Sequence, residues 1–373
     1  MTIPAQENNL VLGTPGSGKT QVLLQRVAYL VQSCGISIKN IRIFVVTDVM
    51  EKFIRWEFES MGYPEETVTA FDYWCRFFYL NHISQDLPRI YINGRVDEKK
   101  TRYSVLDILK NNKNLQKNMK FVLVDDGQDM SIEAFEILSL AAQHITVFSD
   151  PHQNLSEETP SESFVRDMLK LNRRNFLLRR DFRCPHPVAQ LASLFIDEDK
   201  FRQAYSSEVR SEQSMSEDPL CCIAQSEEHE LNHLSEVVRQ RQAMNEKVGI
   251  FVPTNSFVHR VAKVLKEHGI ETEKAIPMDA QNVIHKSYDF GNDLPKITTY
   301  PMAKGLTFDS VLMPRLTENA FSKIPPFLRH RHFFMGITRA SKWVYMSTVK
   351  GKECKEIHIL KSAETDGHLT IFH

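Results

Sequence analysis

The sequence carries almost no net charge. Lys and Arg number 46 against 47 Asp and Glu, a balance of −1. No global basic field therefore draws in nucleic acid, and any such contact has to come from a local groove. Cysteine is sparse and unpatterned. Cys34, Cys75, Cys184, Cys221, Cys222 and Cys354 form no C-x-x-C pair and show no metal-ligand spacing, so they read as free thiols in a reducing compartment. No apolar run is long enough to span a bilayer, and the first residues show no basic-then-apolar leader. The expectation is a cytoplasmic protein with no membrane partner. The sequence also shows no internal repeat and no strongly low-complexity segment. What remains is a chain of 373 residues, 42% hydrophobic and 25% charged, long enough for two or three domains with their own cores.

One stretch organises the rest. Gly13-Thr14-Pro15-Gly16-Ser17-Gly18-Lys19-Thr20 fits G-x-x-x-x-G-K-[ST] at every fixed position. The apolar run Leu10-Val11-Leu12 precedes it and reads as a short buried strand. Val22, Leu23, Val27 and Leu30 follow at spacings that share one helical face. Strand, glycine turn and helix are the context that the pattern needs. Glycines let backbone N–H groups curl around phosphate oxygens, and the helix N-terminus adds partial positive charge. The expected ligands are ATP and Mg²⁺. Gly13, Gly16, Ser17, Gly18, Lys19 and Thr20 form the cradle, Lys19 reaches the β- and γ-phosphates, and the Thr20 hydroxyl binds the metal.

Further along, apolar strands alternate with helical patterns, as in a parallel sheet. Ile41–Val46 reads as a strand, 49–60 as a helix, Thr67–Thr69 as a short strand and Phe71–Leu80 as an aromatic helix. Residues 81 to 117 are polar and basic, with Asn93-Gly94 as a turn signal, and read as solvated surface. Phe121–Val124 and Ile145–Phe148 are continuous apolar strands. They run into Asp125-Asp126-Gly127-Gln128-Asp129 and Ser149-Asp150-Pro151-His152-Gln153. Ligands of parallel sheets sit at such carboxyl ends. Asp125 is thus a candidate Mg²⁺ residue, and Asp126 a candidate to orient and deprotonate water. Gln128 and Gln153 are candidates to sense the γ-phosphate. Residues 154 to 164 read as a hinge or loop. A second alternating block includes Phe176–Leu178, Val248–Val252, Ile297–Tyr300, Val311–Met313 and Trp343–Met346, with a helix over Asn255–His268 and a loop over 205–218.

These motifs, in this order, resemble a UvrD/Rep-type superfamily 1 helicase. Gly13–Thr20 is similar to motif I, Asp125–Asp129 to the D-E-x-Q-D of motif II, and Ser149–Gln153 to the G-D-x-x-Q of motif III. Leu178-Arg179-Arg180-Asp181-Phe182-Arg183 resembles the L-x-x-N-Y-R of motif IV, Lys304–Asp309 the K-G-L-E-F-D of motif V, and Thr338-Arg339-Ala340 the core of motif VI. The resemblance implies an α/β protein of two RecA-like P-loop NTPase domains, with parallel sheets flanked by helices and ATP between the domains. The division is expected as 1–160 and 161–373. It further implies that Arg183 and Arg339 reach the γ-phosphate from the second domain, that Phe182 stacks on adenine, and that Gly305 belongs to the nucleotide site. The implied partner is single-stranded or partly duplex DNA, with RNA left open.

Several positions depart from that pattern. Asp126 stands where the family has Glu, Thr307 where it has Glu, and Pro301 where it has His. Thr69, Phe71 and Trp74 resemble motif Ib, with core packing at least as strong a reading for the two aromatics. An aromatic platform after motif III is replaced by Asn154–Glu158. The intervals before motif II and before motif V are too short for large accessory insertions, so the chain reads as a minimal core. Two functions follow: ATP hydrolysis coupled to strand translocation or unwinding, or a nucleotide-switched ATPase subunit that regulates a partner protein such as a nuclease.

Overall fold

The computed structural model describes residues 4–90, 94–150, 160–171, 176–209, 217–276 and 288–373. The chain forms two compact units, the first ending at Arg179 and the second beginning at Arg180.

The first unit runs β1 (Asn9–Gly13), α1 (Lys19–Ala28), β2 (Ile41–Val45), α2 (Asp48–Ser60), β3 (Val68–Ala70), α3 (Phe71–His82), α4 (Glu98–Asn111), β4 (Met119–Val124), α5 (Ile132–Ala141), β5 (Ala142–Ser149), α6 (Glu162–Met168) and β6 (Phe176–Leu178). Its sheet has the order β3-β2-β4-β5-β1-β6, and every pairing is parallel. Helices pack on the sheet, so Val11, Ile43, Phe44, Leu123 and Val147 are all fully or nearly fully buried. That is why these strands read as continuous apolar runs rather than alternating ones. The chain leaves β1 for β2 and only later fills the gap with β4 and β5. The carboxyl ends of β1, β5 and β4 thereby become neighbours, the arrangement at which open α/β sheets build sites.

Two expectations need correcting here. The basic stretch 81–117 is not mere solvated surface. Asp97 caps α4 by accepting from Lys100 N, and Val105, Leu106 and Leu109 are buried. Three apolar residues on one helical face are enough to dock a helix whose composition is polar. The division expected at 160/161 also falls elsewhere. β6 pairs with β1, Val11 opposite Phe176 and Gly13 opposite Leu178, so α6 and β6 fold with the first unit. Apolar patterning cannot tell which sheet a three-residue strand joins.

The second unit runs α7 (His186–Ser193), α8 (Asp199–Glu208), β7 (Leu220–Ala224), α9 (Glu227–Ala243), β8 (Val248–Val252), α10 (Asn255–Glu267), β9 (Glu273–Lys274), β10 (Lys296–Thr299), β11 (Phe308–Met313), α11 (Glu318–Phe321), α12 (Pro326–Ile337), β12 (Ala340–Val349), α13 (Ile357–Thr365) and β13 (Thr370–Phe372). Its sheet order is β13-β7-β12-β11-β8-β10-β9, again with parallel pairings throughout. The core gathers Leu234, Val238, Ile250, Val261, Leu312 and Tyr345. The chain is thus α/β with two parallel sheets flanked by helices, as expected. β7 and α9 were not foreseen, and α8 occupies the start of the 205–218 segment read as a loop. Among the described residues no helix is long and apolar enough to cross a membrane.

Candidate functional site

In the first unit the site grows from the end of β1. The strand stops at Gly13 because the chain must turn sharply: a Cβ there would lie 2.3 Å from Ser17 Oγ. Gly16 and Gly18 have φ of 73° and 84°, a region that glycine enters without steric cost. α1 then begins at Lys19. Lys19 Nζ donates to the carbonyls of Gly13 at 2.8 Å and Thr14 at 3.0 Å, and lies 3.7 Å from the buried Asp150 carboxylate. The turn is therefore held in a closed ring by the side chain that follows it.

Thr20 joins this turn to the end of β4. Its hydroxyl donates to Asp125 Oδ2 at 2.9 Å. Asp125 is 2% exposed, and its other oxygen, Oδ1, is buried with no hydrogen-bond partner among the described residues. Ser17 Oγ is in the same condition. Burial, and then the neighbouring Asp126 charge, push the Asp125 carboxyl up to about 7, while the Thr20 hydrogen bond and Lys19 pull it back. A buried carboxylate oxygen without a donor, next to a threonine hydroxyl, fits a hard divalent cation. Mg²⁺ is typically held by one or two protein oxygens, with waters and substrate phosphates completing the shell. Among the described residues no group of three or more His, Cys, Asp or Glu is placed to hold a metal.

Asp126 occupies the left-handed region at φ 51°, ψ 46°. Short polar side chains tolerate that region best, a local reason for Asp at this position. Gln128 Nε2 donates to Asp126 Oδ1 at 2.9 Å, and Gln128 Oε1 accepts from the Asp150 backbone N–H at 2.8 Å. Gln128, a candidate γ-phosphate sensor, is a buried strut that ties the end of β4 to the end of β5. Gln153 lies outside the described residues.

Motif Ib folds inward. Phe71 is 4% exposed and packs edge-on to Phe44 at 5.3 Å, with Trp74 at 5.6 Å from the same ring. Both belong to the core cluster and its margin, so the packing reading holds. Thr47 accepts from Met50 N and caps α2.

In the second unit Arg183 and Arg339 meet at one residue. Arg183 Nη1 donates to the Thr338 carbonyl at 3.1 Å. Arg339, 3% exposed, places Nη2 at 3.4 Å from Thr338 Oγ1 and Nε at 3.1 Å from Met335 O. α12 carries these residues to the start of β12. Phe182 is 54% exposed, so it is not a core aromatic. Gly305 stands at φ 81° between a short 3-10 turn opened by Pro301 and β11, so backbone geometry alone accounts for a glycine there. Thr307 is exposed. Sequence reading missed Asp150, Asp181 and Tyr205 as members of these clusters. Asp150 lay within a quoted motif, but Tyr205 carries no local signal.

The chain is therefore a parallel α/β protein of two units, with a strand, a glycine turn and a helix beside buried strand-end carboxylates. Residues 2–56 match the UvrD/REP helicase N-terminal domain. The segment contains Gly13–Thr20, and the resemblance to UvrD-like helicases stands there. A solved structure, the C-terminal domain of a possible DNA helicase from Lactobacillus plantarum WCFS1, is similar at 12% identity and a TM-score of 0.37, covering 51% of this chain and 98% of that one. No curated protein matches the chain.

Proposed function

We propose that this chain is an ATPase that couples hydrolysis to translocation along single-stranded nucleic acid or to DNA unwinding, as a minimal UvrD-like core. The observation that carries the reading is the meeting of Thr20 and Asp125 at 2.9 Å beside a buried carboxylate oxygen that has no hydrogen-bond partner among the described residues. In this reading the backbone of residues 13–18 and Lys19 bind the phosphates of ATP, while Thr20 and Asp125 hold Mg²⁺. The metal, when bound, neutralises charge on the β- and γ-phosphates. Asp126 accepts a proton from the water whose oxygen attacks the γ-phosphorus, as the bond to the bridging oxygen of ADP breaks. Gln153 contacts the γ-phosphate. Arg183 and Arg339 stabilise charge on the transferred group, and Phe182 stacks on adenine.

ATP turnover measured with and without single-stranded DNA tests this. Stimulation by DNA that falls steeply with salt is expected. Indifference to DNA and RNA alike refutes translocation.

One observation favours a second reading, a nucleotide-switched subunit acting on a partner protein. Phe71 and Trp74 are spent on the core, whereas α3 turns Tyr73 and Phe77 outward at 58% and 61% exposure. These aromatics recur one turn apart, the spacing of a helix face that docks against another protein. ATPase activity that DNA leaves unchanged and a partner protein switches on would favour it.

A further inference from the structure

We infer that Tyr205 and Asp181 are positioning residues for Arg183 and, through Thr338, for Arg339. The inference rests on the proposed function for the roles of the two arginines, but its geometry lies wholly within the second unit.

Asp181 is 1% exposed and Tyr205 fully buried. The carboxylate works with both oxygens. Oδ1 accepts from the backbone N–H of Arg183 at 2.8 Å and of Cys184 at 3.1 Å. Oδ2 accepts from the Tyr205 hydroxyl at 3.3 Å. Asp181 N in turn donates to Glu208 O at 3.2 Å, so the C-terminal turn of α8 grips this segment by both backbone and side chain. On the far side Arg183 Nη1 and Cys184 Sγ both point to the Thr338 carbonyl, at 3.1 and 3.6 Å. A continuous chain of polar contacts therefore runs Tyr205, Asp181, Arg183, Thr338, Arg339. The links measure 3.3, 2.8, 3.1 and 3.4 Å in that order; Asp181, Thr338 and Arg339 are buried and Arg183 is half-buried.

The residue type matters. The motif that this segment resembles has Asn where Asp181 stands. An amide offers one acceptor oxygen, enough for the two backbone N–H groups, and turns an NH₂ toward its other neighbour. A carboxylate offers a second acceptor that needs a donor when buried. Tyr205 supplies that donor from α8, so Asp181 and Tyr205 are a matched pair. Deleting the hydroxyl leaves a buried carboxylate oxygen unsatisfied, and the turn carrying Arg183 relaxes toward water. Phosphoryl transfer responds to small displacements: a misplacement of about 1 Å costs on the order of a hundredfold in rate.

Tyr205→Phe keeps the ring packed against Phe334, 5.3 Å away, and removes one oxygen. Three readouts are made on the full chain: ATPase kcat and KM, thermal melting, and hydrogen exchange of the Arg183 and Cys184 amides. Expected are a kcat lower by about tenfold, a KM for ATP within about twofold of wild type, and amide exchange faster by about tenfold. Asp181→Asn added to Tyr205→Phe should restore part of the loss, because an unsatisfied neutral amide costs less than an unsatisfied charged oxygen. Unchanged exchange in Tyr205→Phe overturns the inference whatever the ATPase shows. So does a loss spread equally over kcat and KM with a lowered melting temperature and no rescue. If wild type hydrolyses ATP no faster than Lys19→Ala, the proposed function fails instead. Exchange then still decides whether Tyr205 holds the Arg183 turn.

Discussion

Replacing Asp125 by Asn should make the protein more stable and inactive at once. Asp125 is buried, and its carboxyl is raised from the ordinary 3.8 to about 7, first by burial and second by the adjacent Asp126 charge. An acid whose folded value lies above its unfolded value binds protons more readily when folded. Its ionisation therefore costs no stability below about pH 4. The penalty grows as pH rises and is complete above about 7. Three pH units at 1.36 kcal/mol each give about 4 kcal/mol at pH 8 and under about 2 kcal/mol near pH 5. Asn removes that penalty while keeping the side chain's shape and an acceptor for the Thr20 hydroxyl. The assay is melting of wild type and Asp125→Asn across pH 5 to 8 without divalent metal or nucleotide. At about 2–4 °C per kcal/mol for a unit of this size, the variant should melt higher by roughly 8–16 °C at pH 8, with the gap narrowing by half or more toward pH 5. Mg²⁺ with ATP should stabilise wild type and leave the variant unmoved. Parallel melting curves at all pH values would show that this carboxylate is not a raised, buried acid.

Other outcomes follow from the same geometry. Lys19→Ala should abolish ATP turnover while the fold stays intact, with some loss of melting temperature because the ammonium also faces the buried Asp150 carboxylate at 3.7 Å; retained turnover would show that the nucleotide lies elsewhere. Asp126→Ala should lower kcat by about 10²–10⁴-fold with nucleotide affinity retained, whereas turnover equal to wild type would mark the chain as an inactive nucleotide binder. Gly127→Ala should destabilise by about 1–3 kcal/mol in a denaturant titration, because a Cβ there would lie 2.4 Å from Val147 Cγ1.

The glycine turn of residues 13–20, the strand-end carboxylates and most strands were legible in the sequence because each is a local pattern. A buried parallel strand shows as a continuous apolar run, and a turn with positive φ shows as glycine. The resemblance of Leu178–Arg183 and Thr338–Ala340 to family motifs pointed to Arg183 and Arg339 as a pair. Other features have no local signature. The three-residue β6 joins the first sheet through register with β1, and its composition cannot announce that. Phe71 and Trp74 carry the same letters whether they stack on bases or fill a core, and only packing against Phe44 decides. Gln128 became a strut because the ends of β4 and β5 are neighbours in the sheet. Sequence determined which groups exist and which elements carry them. Tertiary structure decided which of them are buried without partners, which are tied to one another, and how far Asp125 is driven from its ordinary protonation, because desolvation and hydrogen bonding depend on neighbours brought in from distant parts of the chain.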